Sequence, residues 1–220
     1  TSILHQYSSP GTYTIRIRGE FPSIKFGLGE WYNIPGTNNY SFNTTNFNHN
    51  KLIGVDQWGD QVWKNLESAF YHCENLINFP TKAPILDSIN SLSFLFADAS
   101  NFNQDINNWD ISNVTELVAT FAEIQTSNYS FNKALNSWDV SNVTNMQSMF
   151  EGSSSFNQNL SSWDVSNVAY MIGMFRAAAV FNQNLSSWDV SSVTTMNAMF
   201  YAAHSFNQPL NSWDVSNVTD

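Results

Sequence analysis

Charge is scarce in this chain: only 12% of its 220 residues are Asp, Glu, Lys or Arg, about half the share usual in soluble domains. Bases are scarcer still, 8 Lys and Arg against 18 Asp and Glu, for a net charge of -10. Residues 102 to 220 hold 10 acids and only two bases, Lys133 and Arg176, which leaves that half near -8. Proteins bind phosphate backbones by neutralising them with Lys and Arg, so this balance argues against nucleic acid as a partner. It suits anionic membrane surfaces no better. A single cysteine, Cys73, permits no intrachain disulfide and is expected as a small core residue. No apolar run approaches the roughly 20 residues that span a bilayer, so no membrane insertion is expected. Also missing are an initiator Met and a basic-then-apolar leader; the chain is expected to be a piece of something longer. His5, His49, His72 and His204 are scattered without partners at metal-ligand spacing. No Gly-rich phosphate loop, nucleophile elbow or Cys-His arrangement occurs, so no catalytic residues, cofactor or metal are expected.

What the chain does have is apolar mass, 42% hydrophobic and 15% aromatic, enough for a substantial core. It is laid out as a repeat. Aligning Phe102, Phe131, Phe156, Phe181 and Phe206 gives F-N-[QK]-x-[IL]-x-x-W-D-[VI]-S-[NS]-V-[TA], followed by x-[ML]-x-x-[MT]-F. The period is 25 residues, except for a first interval of 29 whose excess falls between Phe121 and Phe131 and is expected to bulge as a loop. Phe70, Phe96, Phe121, Phe150, Phe175 and Phe200 close successive units, and Trp58 precedes Phe70 as Trp138 precedes Phe150. Two regions follow: 1–49, an N-terminal β cap with an Asn- and aromatic-rich loop, and 50–220, about six complete units with a truncated seventh.

Within a unit, Val143, Met146, Met149 and Phe150 fall at i, i+3, i+6 and i+7, which predicts a short helix capped by Ser141 or Asn142. The stretch from Phe131 to Val140 reads as a short strand ending in a corner. The expected fold is therefore an α/β solenoid, a leucine-rich-repeat-like right-handed stack with one short parallel strand and one short helix per 25-residue repeat. A β-hairpin-like cap from residues 1–26 would shield its first unit, and residues 27–50 read as a loop. Each unit can bury its Phe, Leu, Trp, Val and Met only against its neighbours, so a lone repeat would not fold.

The same phase creates columns of chemistry. Asp110, Asp139, Asp164, Asp189 and Asp214 would stack like charges about 5 Å apart. Either backbone N–H groups at a corner or bound cations must compensate them. Trp109, Trp138, Trp163, Trp188 and Trp213 read as a core ladder, with an aromatic platform for sugars or protein loops as the alternative. Asn113, Asn142, Asn167 and Asn217 are expected to satisfy backbone groups at the corner, interrupted once by Ser192. The Asn101-x-Asn103-x-Asp105-x-Asn107 run lacks the Gly and the Glu of a calcium loop, since Ile106 and Ser112 stand there. The row bet on for binding is Asn132, Lys133, Asn157, Gln158, Asn182, Gln183, Asn207 and Gln208, continuing Asn103 and Gln104; its alternative is a solvated face with ladder hydrogen bonds. Sequons at Asn43, Asn113, Asn142, Asn159, Asn184 and Asn217 arise from the repetition itself and imply no glycosylation.

These residues resemble the BspA-like leucine-rich-repeat surface proteins, in the subgroup whose repeats read F-N-Q-x-L-x-x-W-D-V-S-N-V-T-x-M-x-x-M-F, nearly letter for letter over residues 156–218. Phe70-Tyr71-His72-Cys73-Glu74-Asn75-Leu76 is similar to the A-F-x-x-C-x-x-L junction of the wider family. His5, Tyr7, Gly11, Tyr13 and the Thr14 to Arg18 alternation look like the last strands of a PKD-like segment. The resemblance implies an extracellular or cell-surface adhesion module whose partner is a protein or glycan on another cell or host. A structural spacer or stalk without a ligand is the competing reading. An exposed last repeat would also invite end-to-end self-association.

Overall fold

The apolar spacing of Val143, Met146, Met149 and Phe150 is satisfied without any helix. The computed structural model describes residues 11–14, 23–24, 31–33, 40–42, 49–124 and 129–219. Among these, β1 (Trp31–Asn33) pairs antiparallel with β2 (Tyr40–Phe42), and a single 3-10 turn spans His49–Lys51. From residue 52 onward the backbone is turns joined by isolated parallel bridges, with no α-helix and no extended strand among the described residues. The expected helix-and-strand solenoid is thus overturned. The hairpin lies inside the segment read as a loop, whereas most of the cap and PKD-like expectation for residues 1–26 falls outside the described residues. Ser23 does bridge Asn65 in parallel, and Ile24 packs on the core.

The reason for the correction is where the N–H groups go. In a helix each N–H bonds to the carbonyl four residues back in its own segment. Here Met146, Ser148, Phe150 and Gly152 donate instead to Tyr170, Ile172, Met174 and Arg176 of the next unit, at 2.7–2.9 Å. The residues between them close turns on their own unit: Met149 donates to Met146, Glu151 to Ser148 and Ser153 to Phe150. Ser148 (φ 54°) and Gly152 (φ 71°) hold the left-handed conformation that the third residue of such turns requires and that a helix forbids. Successive three-residue closures return apolar side chains to the same side every three or four residues. The spacing was real; its cause is a row of turns. Val-Thr-Asn-Met-Gln-Ser is also poor helix material.

The stretch read as a strand, Phe131 to Val140, is irregular backbone with one turn, closed by Trp138 donating to Leu135 as Trp163 does to Leu160, and it forms no strand. Each 25-residue unit is a closed rung, and the rungs lie on one another. Phe150 stacks on Phe156, which opens the following unit, at 4.1 Å and on Phe175, which closes it, at 5.6 Å. Phe156, Phe181 and Phe206 follow one above another at 6.1 and 6.0 Å, as do Trp163, Trp188 and Trp213 at 6.4 Å. Each large apolar side chain so buried contributes about 1.5–3 kcal/mol.

Candidate functional site

The Trp column lies inside the stack. Trp109, Trp138, Trp163 and Trp188 are buried, and Trp138, Trp163, Trp188 and Trp213 donate Nε1–H to the carbonyls of Ile106, Leu135, Leu160 and Leu185, at 2.9–3.0 Å. Each indole therefore ties its rung to the one before. Trp188 is stacked between Trp163 and Trp213, whereas Trp213 is half-buried and lines a cleft at the end of the stack.

The Asp column is on the outside. Oδ1 of Asp110, Asp139, Asp164, Asp189 and Asp214 accepts the backbone N–H two residues on, from Ser112, Ser141, Ser166, Ser191 and Ser216, at 3.0–3.1 Å. The hydroxyls of Ser112, Ser141, Ser166 and Ser191 also donate, at 2.6–2.7 Å. Those hydroxyl and N–H bonds hold Asp110, Asp164 and Asp189 below the ordinary carboxyl value, and for Asp214 the N–H leads. The corner residues Asn142, Asn167 and Asn217 donate Nδ2–H to the carbonyls of Ser112, Ser141 and Ser191, at 2.7–2.8 Å, and Asn113 reaches Asp87 at 3.4 Å. The calcium-like run is committed elsewhere: Asn101 donates to Glu74, Asp105 accepts from Asn107, and Asn107 bonds Asn136 and Ser137. Among the described residues no group of three His, Cys, Asp or Glu could hold a metal ion.

The Asn/Gln row runs along the outside of the rungs. Oδ1 of Asn103, Asn132, Asn157 and Asn182 accepts the backbone N–H of Asn132, Asn157, Asn182 and Asn207, at 2.9–3.0 Å. Gln158, Gln183 and Gln208 donate Nε2–H to the same Oδ1 of Asn132, Asn157 and Asn182, at 2.8–3.0 Å. Lys133 stands where the next Gln would be. One half of each amide thus holds the stack together, on residues that are exposed at Asn132 and Asn207 and half-buried at Asn157, Gln158, Asn182, Gln183 and Gln208.

A second polar grouping escaped the sequence reading. Tyr71, His72, Asp98, Glu123 and Tyr129 are all buried beside the 29-residue interval. His72 Nε2 lies 3.6 Å from Asp98 Oδ2, and His49 stacks obliquely on the His72 ring at 5.5 Å. Asp98 accepts from the Ile124 N–H at 2.7 Å, while Glu123 accepts from the Tyr129 N–H at 3.0 Å. Two buried carboxylates therefore grip both ends of the inserted loop, whose residues 125–128 lie outside those described. Tyr129 OH donates in turn to the Phe96 carbonyl at 2.8 Å. Burial, then the Asp98 charge, raises the Tyr71 and Tyr129 hydroxyls, and burial lowers His72. Burial also pushes the Cys73 thiol up to about 12, as suits a core residue. The signal was there: His72, Asp98 and Glu123 occupy one phase of three successive units, and Gly152 the next. Looking for His partners at short spacing missed a column spaced 26 and 25 residues.

A family model described as Mycoplasma protein of unknown function, DUF285, matches residues 37–129 and again 121–220. No curated protein and no solved structure matches the chain.

Proposed function

This chain belongs to the DUF285 family, and from that premise we propose that it is a non-catalytic binding module which displays a repetitive polar face outside the cell. The observation that carries the reading is the Asn/Gln row itself, one ordered amide after another along the stack. The finer resemblance of the repeat text to BspA-like surface proteins points the same way, toward adhesion at a cell surface to a protein or glycan. No residue cluster is assigned a catalytic role: the buried His72 and Asp98 sit among packed side chains, and Asp98 with Glu123 holds the ends of a loop. Glycan and host-protein arrays probed with the chain test the reading. Saturable binding to at least one class is expected, and silence across both defeats it.

A spacer without a ligand is the second reading. The inward half of the same row favours it, because those bonds stiffen the stack whether or not anything binds. End-to-end self-association is proposed as well. The last rung presents a cleft of about 360 Å³ lined by Met196, Met199, Phe200, Leu210, Trp213 and Val215. A mass that stays monomeric in light scattering at high concentration would rule it out.

A further inference from the structure

Resting on that binding reading, we infer that the Asn/Gln row is a track for a neutral linear polysaccharide lying along the stack. The hydrogen bonds decide which atoms face out. The Asn157 backbone N–H can only donate, so the Asn132 atom it meets at 3.0 Å is Oδ1 and the outward atom is Nδ2. Gln158 approaches that same oxygen at 2.8 Å and must do so with Nε2–H, which turns its Oε1 outward. Gln183 on Asn157 and Gln208 on Asn182 repeat the arrangement at 2.9 and 3.0 Å. Each junction therefore shows one fixed donor beside one fixed acceptor.

A hydroxyl both donates and accepts, so neighbouring hydroxyls of a sugar ring complement such a pair. Because both amides are already locked into the stack, binding loses little side-chain entropy. One pair per rung, in line, suits a polymer and gives a single sugar little to hold. The sign of the surface excludes sulfated and uronate chains, since residues 102 to 220 carry 10 acids against two bases. A peptide strand fits less well. It needs an open main-chain edge and apolar pockets, but the N–H groups of Asn157, Asn182 and Asn207 are occupied and the adjoining Phe156 and Phe181 are fully buried. Lys133 replaces Gln at the long interval, so the track begins at Asn132.

The test titrates the whole chain with neutral hexasaccharides of β-linked glucan, β-linked mannan and α-linked glucan, with an oligouronate as the anionic control. Side-chain amide signals are followed by NMR. At least one neutral hexasaccharide is expected to bind and to shift the NH₂ signals of Asn132, Asn157 and Asn182, with its monosaccharide far weaker. Asn157→Asp combined with Asn182→Asp keeps each Oδ1 acceptor and removes each Nδ2 donor. It should weaken binding at least about tenfold while the stack stays folded. Gln183→Met, which removes the outward acceptor, is the second variant and should weaken binding as well. Neutral sugar bound with equal affinity by the variants would overturn the track. So would silence of every neutral sugar while a protein or an anionic glycan binds, an outcome that leaves the broader binding reading standing. Silence of all probes, arrays included, removes both and leaves the spacer.

Discussion

At Gly152 two constraints meet: φ is 71°, and a Cβ there would run into the Glu123 carbonyl. Gly152→Ala is expected to cost more than about 2 kcal/mol, read as a lower denaturant midpoint. Gly173 is the internal control. Its φ is 59°, but Ala119 and Ala198 hold the same phase at 50° and 54°, so Gly173→Ala should stay within about 1 kcal/mol of wild type. Ser192 breaks the corner column, and Ser192→Asn would give the Ser166 carbonyl the donor that Asn167 and Asn217 give theirs. A gain of about 0.5–1.5 kcal/mol in urea unfolding is expected. His72 sets a pH dependence. Burial holds its folded pKa below the ordinary 6.5, helped by His49 and opposed by Asp98 and Glu74. The unfolded chain then takes up a proton that the folded chain refuses, so stability falls as pH drops below 6.5. Unfolding midpoints at pH 7.5 and 5.5 should differ more for wild type than for His72→Asn, Asn being tolerant of the φ of 58° there. Equal differences would remove His72 as the cause. Asp110, Asp164, Asp189 and Asp214, held below the ordinary carboxyl value, act only lower, where those carboxylates protonate.

One rung is the element of this protein, and nothing inside it resembles a helix. Its N–H groups go to its own turns, to the next rung, as from Met146 and Ser148, and to the preceding one, as from Thr144 and Ala169, so far-UV circular dichroism should lack the helical double minimum. A strong helical spectrum would contradict the turn-built rung. Phe175 is sandwiched between Phe150 and Phe200 at 5.6 and 5.7 Å, and Phe175→Ala is expected to cost about 3–5 kcal/mol because neither flat neighbour can collapse into the gap. This scale is also where sequence reading failed. Val143, Met146, Met149 and Phe150 were legible as one buried face, since burial needs only periodicity. Helix and turn row share that periodicity, and the positive φ at Ser148 leaves no mark in a residue type that either can accommodate. The Asn/Gln row was legible as a column, but not which half of each amide would be committed to the stack.

Across the whole molecule, the direction of the rung bonds gives the stack two unlike ends. Met171, Gly173, Phe175 and Ala177 donate to the following rung, and in the last full rung Met196, Ala198 and Phe200 have no following carbonyl among the described residues. Hydrogen exchange should therefore be slow at Ser148 and Phe150 and fast at Ala198 and Phe200. Fast exchange at Ser148 and Phe150 would contradict the bonds between rungs. What the sequence by itself determined is the repeat: its phase, its single long interval, the core Phe and Trp columns and the existence of an Asp column, all consequences of like residues recurring every 25 positions. Only the tertiary structure decided that the rungs are turns and that His72, Asp98 and Glu123 gather beside the break. Both depend on which backbone groups find partners in the neighbouring rung, and such contacts are set by stacking across units, which no local propensity encodes.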